Sequence, residues 1–249
     1  MKPLSPRIAA TRLYCDLALS PGAEIALPEG AARHAATVLR LQAGAALSLF
    51  NGAGGEYRSS ILAVNKREVR VRVAEHYASE CESPLDITLA LGISAGERME
   101  YSLQKATELG VTAIQPLAME RSVVKLAAER AEKRQQHWQH VVIAACEQCG
   151  RNRIPVVAPV QKLYAYLAAV DRNKRLLMLS PQADTPLKRI APAQAAVLLI
   201  GAEGGFAPAE YQAAQSSGFE PVSLGPRILR TETAPVAALA LLQALWGDL

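Results

Sequence analysis

The chain has 249 residues, half of them hydrophobic and a fifth charged, with 27 basic against 23 acidic side chains and a formal net charge of +4. That length buries a real core in one large domain or two modest ones, and the weakly basic charge permits an anionic partner without demanding one. No apolar run reaches the ~18 residues of a membrane span, the opening MKPLSPRIAATRLYCDLALS lacks the apolar stretch of a secretory signal, and the 4 cysteines are too few for a disulfide scaffold, so the expected setting is the cytoplasm with reduced thiols.

Residues 1–80 read as mostly β. A short helix fits over 29–41, with Ala32, Ala35, Ala36, Leu39 and, less squarely, Val38 on its apolar face. Strands are predicted over 47–51, 56–64 and 68–76, joined by turns rich in Gly and Asn. Val69-Arg70-Val71-Arg72-Val73 alternates strictly, so the valines face one side and the arginines the other. The pattern describes a small barrel with a basic stripe outside; a plain solvated strand face accounts for it equally. The polar segment from Ala78 to Pro84 marks the expected boundary, dividing the chain into domains over 1–80 and 84–249.

From Leu85 onward strands and helices alternate. Strands are predicted over 86–93, 111–116, 176–179, 197–200 and 221–224, and helices over 97–109, 127–149, 163–170, 208–217 and 231–246. Such alternation implies an α/β domain whose mostly parallel sheet is covered on both faces. Ligands of these sheets bind beyond the carboxyl ends of the strands. His137, His140, Cys146 and Cys149 are zinc-like by residue type, but His137 and Cys146 sit about 14 Å apart along one helix and about 180° around it. A single helix cannot wrap one ion that way, so no metal is expected.

Three loops leave strand carboxyl ends with unusual residues. The first is Ser180-Pro181-Gln182. The second is Gly201-Ala202-Glu203-Gly204-Gly205-Phe206, whose G-x-x-G-G spacing is neither a phosphate-binding Gly-Lys-Ser/Thr loop nor a dinucleotide G-x-G-x-x-G. A backbone cage for an adenine or a carboxylate and a plain left-handed turn both fit it. The third runs from Gly225-Pro226-Arg227 through Ile228-Leu229-Arg230 to Thr231-Glu232-Thr233, with Thr231 a candidate cap for the last helix. Two arginines at a helix start make an anion site, or they are simply solvated.

The stretch LLIGAEGGFAPAEY…GFEPVSLGPRILRTETAPVAALALLQ resembles the C-terminal signature of the ribosomal small subunit methyltransferase E family of the SPOUT superfamily. GERMEYSLQKATELGVTAIQPLAMERSVVK, CEQCGRNRIP and, near the N-terminus, HAATVLRLQAGAALSLFNGAGGEY extend the resemblance over nearly the whole chain. It implies a PUA-like RNA-binding β-barrel followed by an α/β domain with a deep trefoil knot. It implies S-adenosyl-L-methionine-dependent methylation of uridine N3 in 16S rRNA, on the small ribosomal subunit, by a homodimer. The cofactor is expected on Leu179, Ser180 and Pro181, on Gly201, Glu203, Gly204 and Gly205, and on Leu224, Gly225, Ile228, Leu229, Arg230 and Thr231. Where the family usually has proline in the glycine loop this chain has Ala202, which softens the loop. Ala95 likewise stands where a basic residue is common.

Methylation at N3 requires loss of its proton and stabilisation of the resulting charge. Arg230 is the candidate stabiliser, and Glu232 or Glu203 takes the proton or orients the base; Glu203 bracing its loop is the other reading. Candidate RNA contacts in the first domain are Arg7, Arg12, Arg33, His34, Arg40, Arg70 and Arg72. Arg121, Arg151 and Arg153 join them from the second. Two other classes remain open on the residues: a non-catalytic RNA-binding or ribosome-assembly factor, and an NAD-dependent dehydrogenase, which the glycine spacing disfavours.

Overall fold

The computed structural model describes residues 11–65, 68–123 and 128–249. They divide into two units. One runs to Glu82 and adds Cys146–Ile154; the other comprises Ser83–Ala145 and Pro155–Leu249.

The first unit is built on five strands in the order β1-β3-β4-β5-β2. β3 (Ala46–Phe50), β4 (Glu56–Val64) and β5 (Val69–Tyr77) form an antiparallel meander. Its edges are β1 (Arg12–Tyr14), parallel to β3, and β2 (Glu24–Ala26), antiparallel to β5. These edge strands were not expected: at three residues each they are too short to show a period-two pattern. The valine–arginine alternation of β5 holds. Val69, Val71 and Val73 join Leu13, Leu47, Leu49 and Ile61 in the core, and Arg70 and Arg72 face out.

The helix expected over 29–41 is a correction. α1 (Glu29–Arg33) passes into a π-helical turn, His34–Val38, where the N–H of Leu39 reaches the carbonyl of His34. The wider turn rotates later residues off the apolar face. Ala35 is fully buried, but Val38 is 66 % exposed and Leu39 38 %.

In the second unit every strand pairing is parallel among the described residues. The strands are β6 (Asp86–Gly92), β7 (Ala113–Ala118), β8 (Val156–Val157), β9 (Gln161–Lys162), β10 (Arg175–Leu179), β11 (Ala195–Ile200) and β12 (Glu220–Val222). Their order is β12-β10-β11-β6-β7-β8, with β9 also on β7. β11 is thus inserted between β6 and β10, and β12 returns to the far side of β10. Apolar runs such as Leu176–Met178 and Val197–Ile200 are buried, as strands covered on both faces must be.

α2 (Gly96–Glu108) buries Met99, Leu103 and Ala106 at helical spacing and ends before Gly110, which takes φ +80°. α3 (Ala128–Cys149) and α4 (Leu163–Ala169) follow. α5 (Pro208–Ser216) starts with proline in its first turn. α6 spans Thr233–Trp246, two residues later than expected. Thr231 does not cap it: the first helical N–H groups, of Thr233 and Ala234, go to the carbonyl of Arg230. α6 packs against α2, and its buried Gln243 joins Ser83 Oγ (2.7 Å) to the carbonyl of Leu109 (2.9 Å). Between β10 and β11 the chain reaches Ser223 through reciprocal bonds with Thr185 and Leu187, each 2.9 Å.

Candidate active site

The carboxyl ends of β10, β11 and β12 open onto one cleft of about 400 Å³. After β10, Ser180 is buried, its N–H bonded to the carbonyl of Val222 at 2.9 Å. Pro181 and Gln182 complete that wall.

The loop after β11 folds back tightly. The N–H of Gly205 bonds the carbonyl of Ala202 at 2.8 Å, with Gly205 at φ +69°. A Cβ on Gly201 would lie 3.0 Å from the Gly205 carbonyl carbon, so any larger residue there would push the loop by a few tenths of an ångström. Beneath the loop, a Cβ on Gly92 at the end of β6 would come within 2.4 Å of the Ala202 nitrogen. Gly92 was not expected to matter; its only sequence signal is a glycine closing an apolar strand. Glu203 takes two hydrogen bonds on Oε1, from the N–H of Ala95 (3.0 Å) and Nη1 of Arg98 (3.1 Å). That is a bracing geometry.

The loop after β12 supplies the third wall through Leu224, Gly225, Arg227, Ile228, Leu229 and Thr231. Ile228 is 86 % exposed at the rim. Of the residues expected to hold a cofactor, Arg230 alone does not line the cleft. Glu232 does not line it either, so two of the three expected catalytic groups stand next to the lining rather than in it. Arg121, Phe206 and Tyr211 contribute lining for which a cofactor role was not expected, the two rings meeting edge to face at 6.5 Å between centroids. Glu210 sets this corner: buried, it accepts the N–H of Ala207 (3.0 Å) and of Glu120 (2.8 Å). Its signal was a glutamate three residues into a proline-started helix.

The cleft fits a small polar ligand. Its volume lies in the range of small-molecule sites, ~300–1,000 Å³. Two buried polar atoms on its lining residues, Glu203 Oε2 and Thr231 Oγ1, have no hydrogen-bond partner among the described residues.

An RNA methyltransferase domain matches residues 81–243, and an RNA methyltransferase PUA domain matches residues 27–74. A ribosomal RNA small subunit methyltransferase E from Buchnera aphidicola is 35 % identical over 239 residues, 96 % of this chain and 97 % of the relative. The chain belongs to this family. Two solved structures resemble it throughout. A methyltransferase from Legionella pneumophila in complex with the bound cofactor SAM has a TM-score of 0.93 and 42 % identity, covering 97 % of this chain and 100 % of that one. The ribosomal RNA small subunit methyltransferase E of Neisseria gonorrhoeae, bound to S-adenosyl methionine, has a TM-score of 0.89 and 41 % identity, covering 96 % and 98 %.

In this member of the family the arginines expected to meet RNA divide by direction. Arg12 and Arg151 are buried, a correction to their reading as surface contacts. Arg12 pairs with Glu56, donates to Asn152 Oδ1 (2.9 Å) and lies 4.7 Å over the Phe50 ring. Arg151 is bound by Glu82 at 2.7 Å. Both carboxylates use up donors that RNA would need. Arg33, Arg40, Arg121 and Arg153 are exposed. Arg70 and Arg72 also face solvent but share Glu24, at 3.2 and 2.5 Å. His34 faces Glu147 at 3.6 Å, and burial raises that carboxyl's pKa. Arg7 lies outside the described residues.

The zinc-like quartet does not assemble: among the described residues no group of histidines, cysteines and carboxylates is placed to hold a metal, and His137 faces Glu100 at 2.9 Å. Burial pushes the Cys146 thiol up to about 12, which leaves it protonated and a poor nucleophile at neutral pH. No described helix is long and apolar enough to cross a membrane.

Proposed function

We propose that this chain methylates N3 of a uridine in 16S rRNA of the small ribosomal subunit, using S-adenosyl-L-methionine. The observation that carries the reading is the meeting of three backbone loops in one cleft, in a family whose two solved relatives above hold that cofactor. The backbones of Gly201, Gly204, Gly205, Leu224 and Gly225 would hold it, with Leu179, Ser180, Pro181, Ile228 and Leu229 as walls. When bound, the cofactor supplies an electrophilic methyl group on a sulfonium.

The remaining tasks belong to the chain. Uridine N3 becomes a good nucleophile only after losing its proton. Glu203, which lines the cleft and keeps Oε2 without a partner among the described residues, or Glu232 beside the lining accepts that proton. Arg230, beside the lining, would stabilise the charge spread over N3 and its flanking carbonyls. Exposed Arg33, Arg40 and Arg153 grip phosphates, which position RNA without reading its sequence.

The same reading carries a PUA-like barrel for residues 1–80 and a knotted α/β domain for residues 84–249, apart from Cys146–Ile154, which group with the first unit, working as a cytoplasmic homodimer. The order β12-β10-β11-β6 and the bonds between Ser223 and residues 185–187 support threading of the C-terminal segment through the β10–β11 connection.

Mass mapping of 16S rRNA from cells lacking this protein tests the reaction. One 3-methyluridine disappears and returns on complementation. Unchanged 3-methyluridine, or loss of a different modification, would defeat the proposal.

A further inference from the structure

The glycine loop at residues 201–205 is held by two arginines of other elements, of which Arg121 also lines the cleft. Arg98, in the first turn of α2, donates from Nη1 to Glu203 Oε1, beside the N–H of Ala95. Arg121, in the turn after β7, donates from Nη1 to the carbonyl of Gly204 at 3.1 Å. Its stem lies flat on that residue: a Cβ at Gly204 would come within 2.9 Å of Arg121 Cβ and 3.3 Å of its Cδ. The turn is fixed in its own right, because buried Glu210 bonds the N–H of Glu120 and ties it to the start of α5.

Both arginines are exposed, and exposed pairs of this kind add little to global stability. Their placement gives them a different use. The loop carries three glycines, each with wide backbone freedom. Residue 202 is alanine, so no proline ring fixes φ within the loop. Contacts made before a ligand arrives reduce the ordering cost of binding it.

We propose that Arg98 and Arg121 are positioning residues that clamp the glycine loop in its ligand-binding shape, acting on methyl-donor affinity through the loop. This inference rests on the S-adenosylmethionine reading above. The test is calorimetric titration of S-adenosylmethionine into the full chain without RNA, for the wild type and for Arg98→Ala, Arg98→Lys and Arg121→Ala.

Each alanine variant is expected to bind about fivefold to tenfold more weakly, a loss on the scale of ~1 kcal/mol of preorganisation. Thermal midpoints stay unchanged, amide hydrogen exchange over 201–205 quickens in the ligand-free protein, and for Arg98→Ala kcat at saturating donor stays within about twofold. Lysine at 98 restores most of the affinity. In a Glu203→Ala background, Arg98→Ala adds nothing further, because the partner is already gone. Wild-type-like affinity in both alanine variants would overturn the clamp while leaving the cofactor reading intact. So would an Arg98→Ala effect undiminished by Glu203→Ala. A wild-type chain that binds no S-adenosylmethionine would overturn both.

Discussion

Arg12 and Arg151 in the five-stranded unit are 7 % and 4 % exposed, whereas Arg98 and Arg121 at the cleft stand in solvent. The buried pair neutralises carboxylates, buried Glu56 and partly exposed Glu82. The exposed pair reaches sideways onto a loop, through a glutamate side chain and a backbone carbonyl. One residue type thus does two jobs. Where dielectric is low, an arginine lost from a pair leaves a stranded charge; at a wet rim it leaves only a looser loop.

The largest effect that sharpens this contrast is expected at Arg12. Arg12→Met leaves Glu56 buried without its cation, and breaking such a pair costs about 3–5 kcal/mol. Denaturant unfolding monitored by circular dichroism reads that loss directly. A change below about 1 kcal/mol would mean the pair is already hydrated.

Arg230→Ala acts on chemistry alone. We expect kcat to fall by about 10²–10³-fold, the usual result of removing one group that stabilises transition-state charge. Cofactor affinity should stay within about twofold, because Arg230 does not line the cleft. Single-turnover methylation together with calorimetry separates the two, and full turnover in this variant would remove Arg230 from the mechanism.

Gly92→Ala follows in size. The new methyl would sit 2.4 Å from the Ala202 nitrogen and 2.8 Å from its Cα, so backbone must move. Overpacking of this kind costs about 1–3 kcal/mol. Donor affinity should fall with stability, and the two losses can be read from thermal melts with and without S-adenosylmethionine.

The smallest expected effect concerns Glu24, whose carboxyl is held below its ordinary pKa by the Arg72 hydrogen bond and by Arg70, so the cluster stays paired at neutral pH. Glu24→Gln frees both arginines. RNA binding should tighten a few-fold, and its salt slope should steepen by on the order of one unit. An unchanged slope would remove Arg70 and Arg72 from the RNA surface.

The same contrast explains what could be read from sequence. The cleft loops were legible because Gly201, Gly205, Gly225 and their neighbours allow backbone turns that other residues resist, and backbone builds this site. The alternating Val69–Val73 strand was legible because burial on one face has a fixed period. The fates of the arginines were not legible. Charge does not report direction, and Arg12 finds Glu56 across a separation of 44 residues. β1 and β2 are held by partners along β3 and β5 rather than by any local pattern. The π-helical turn at His34–Val38 keeps a helical composition while shifting its faces, so Val38 and Leu39 were placed inward and lie outward.

The loops after β10, β11 and β12 form one ligand site. Amide chemical-shift mapping of this 26.6 kDa chain with added S-adenosylmethionine tests it most directly. Saturable shifts are expected, concentrated in residues 179–182, 201–206 and 224–231. Shifts centred instead on the basic hollow around Arg172, Lys174 and Gly218, at the opposite strand ends, would contradict it, as would no shifts at all.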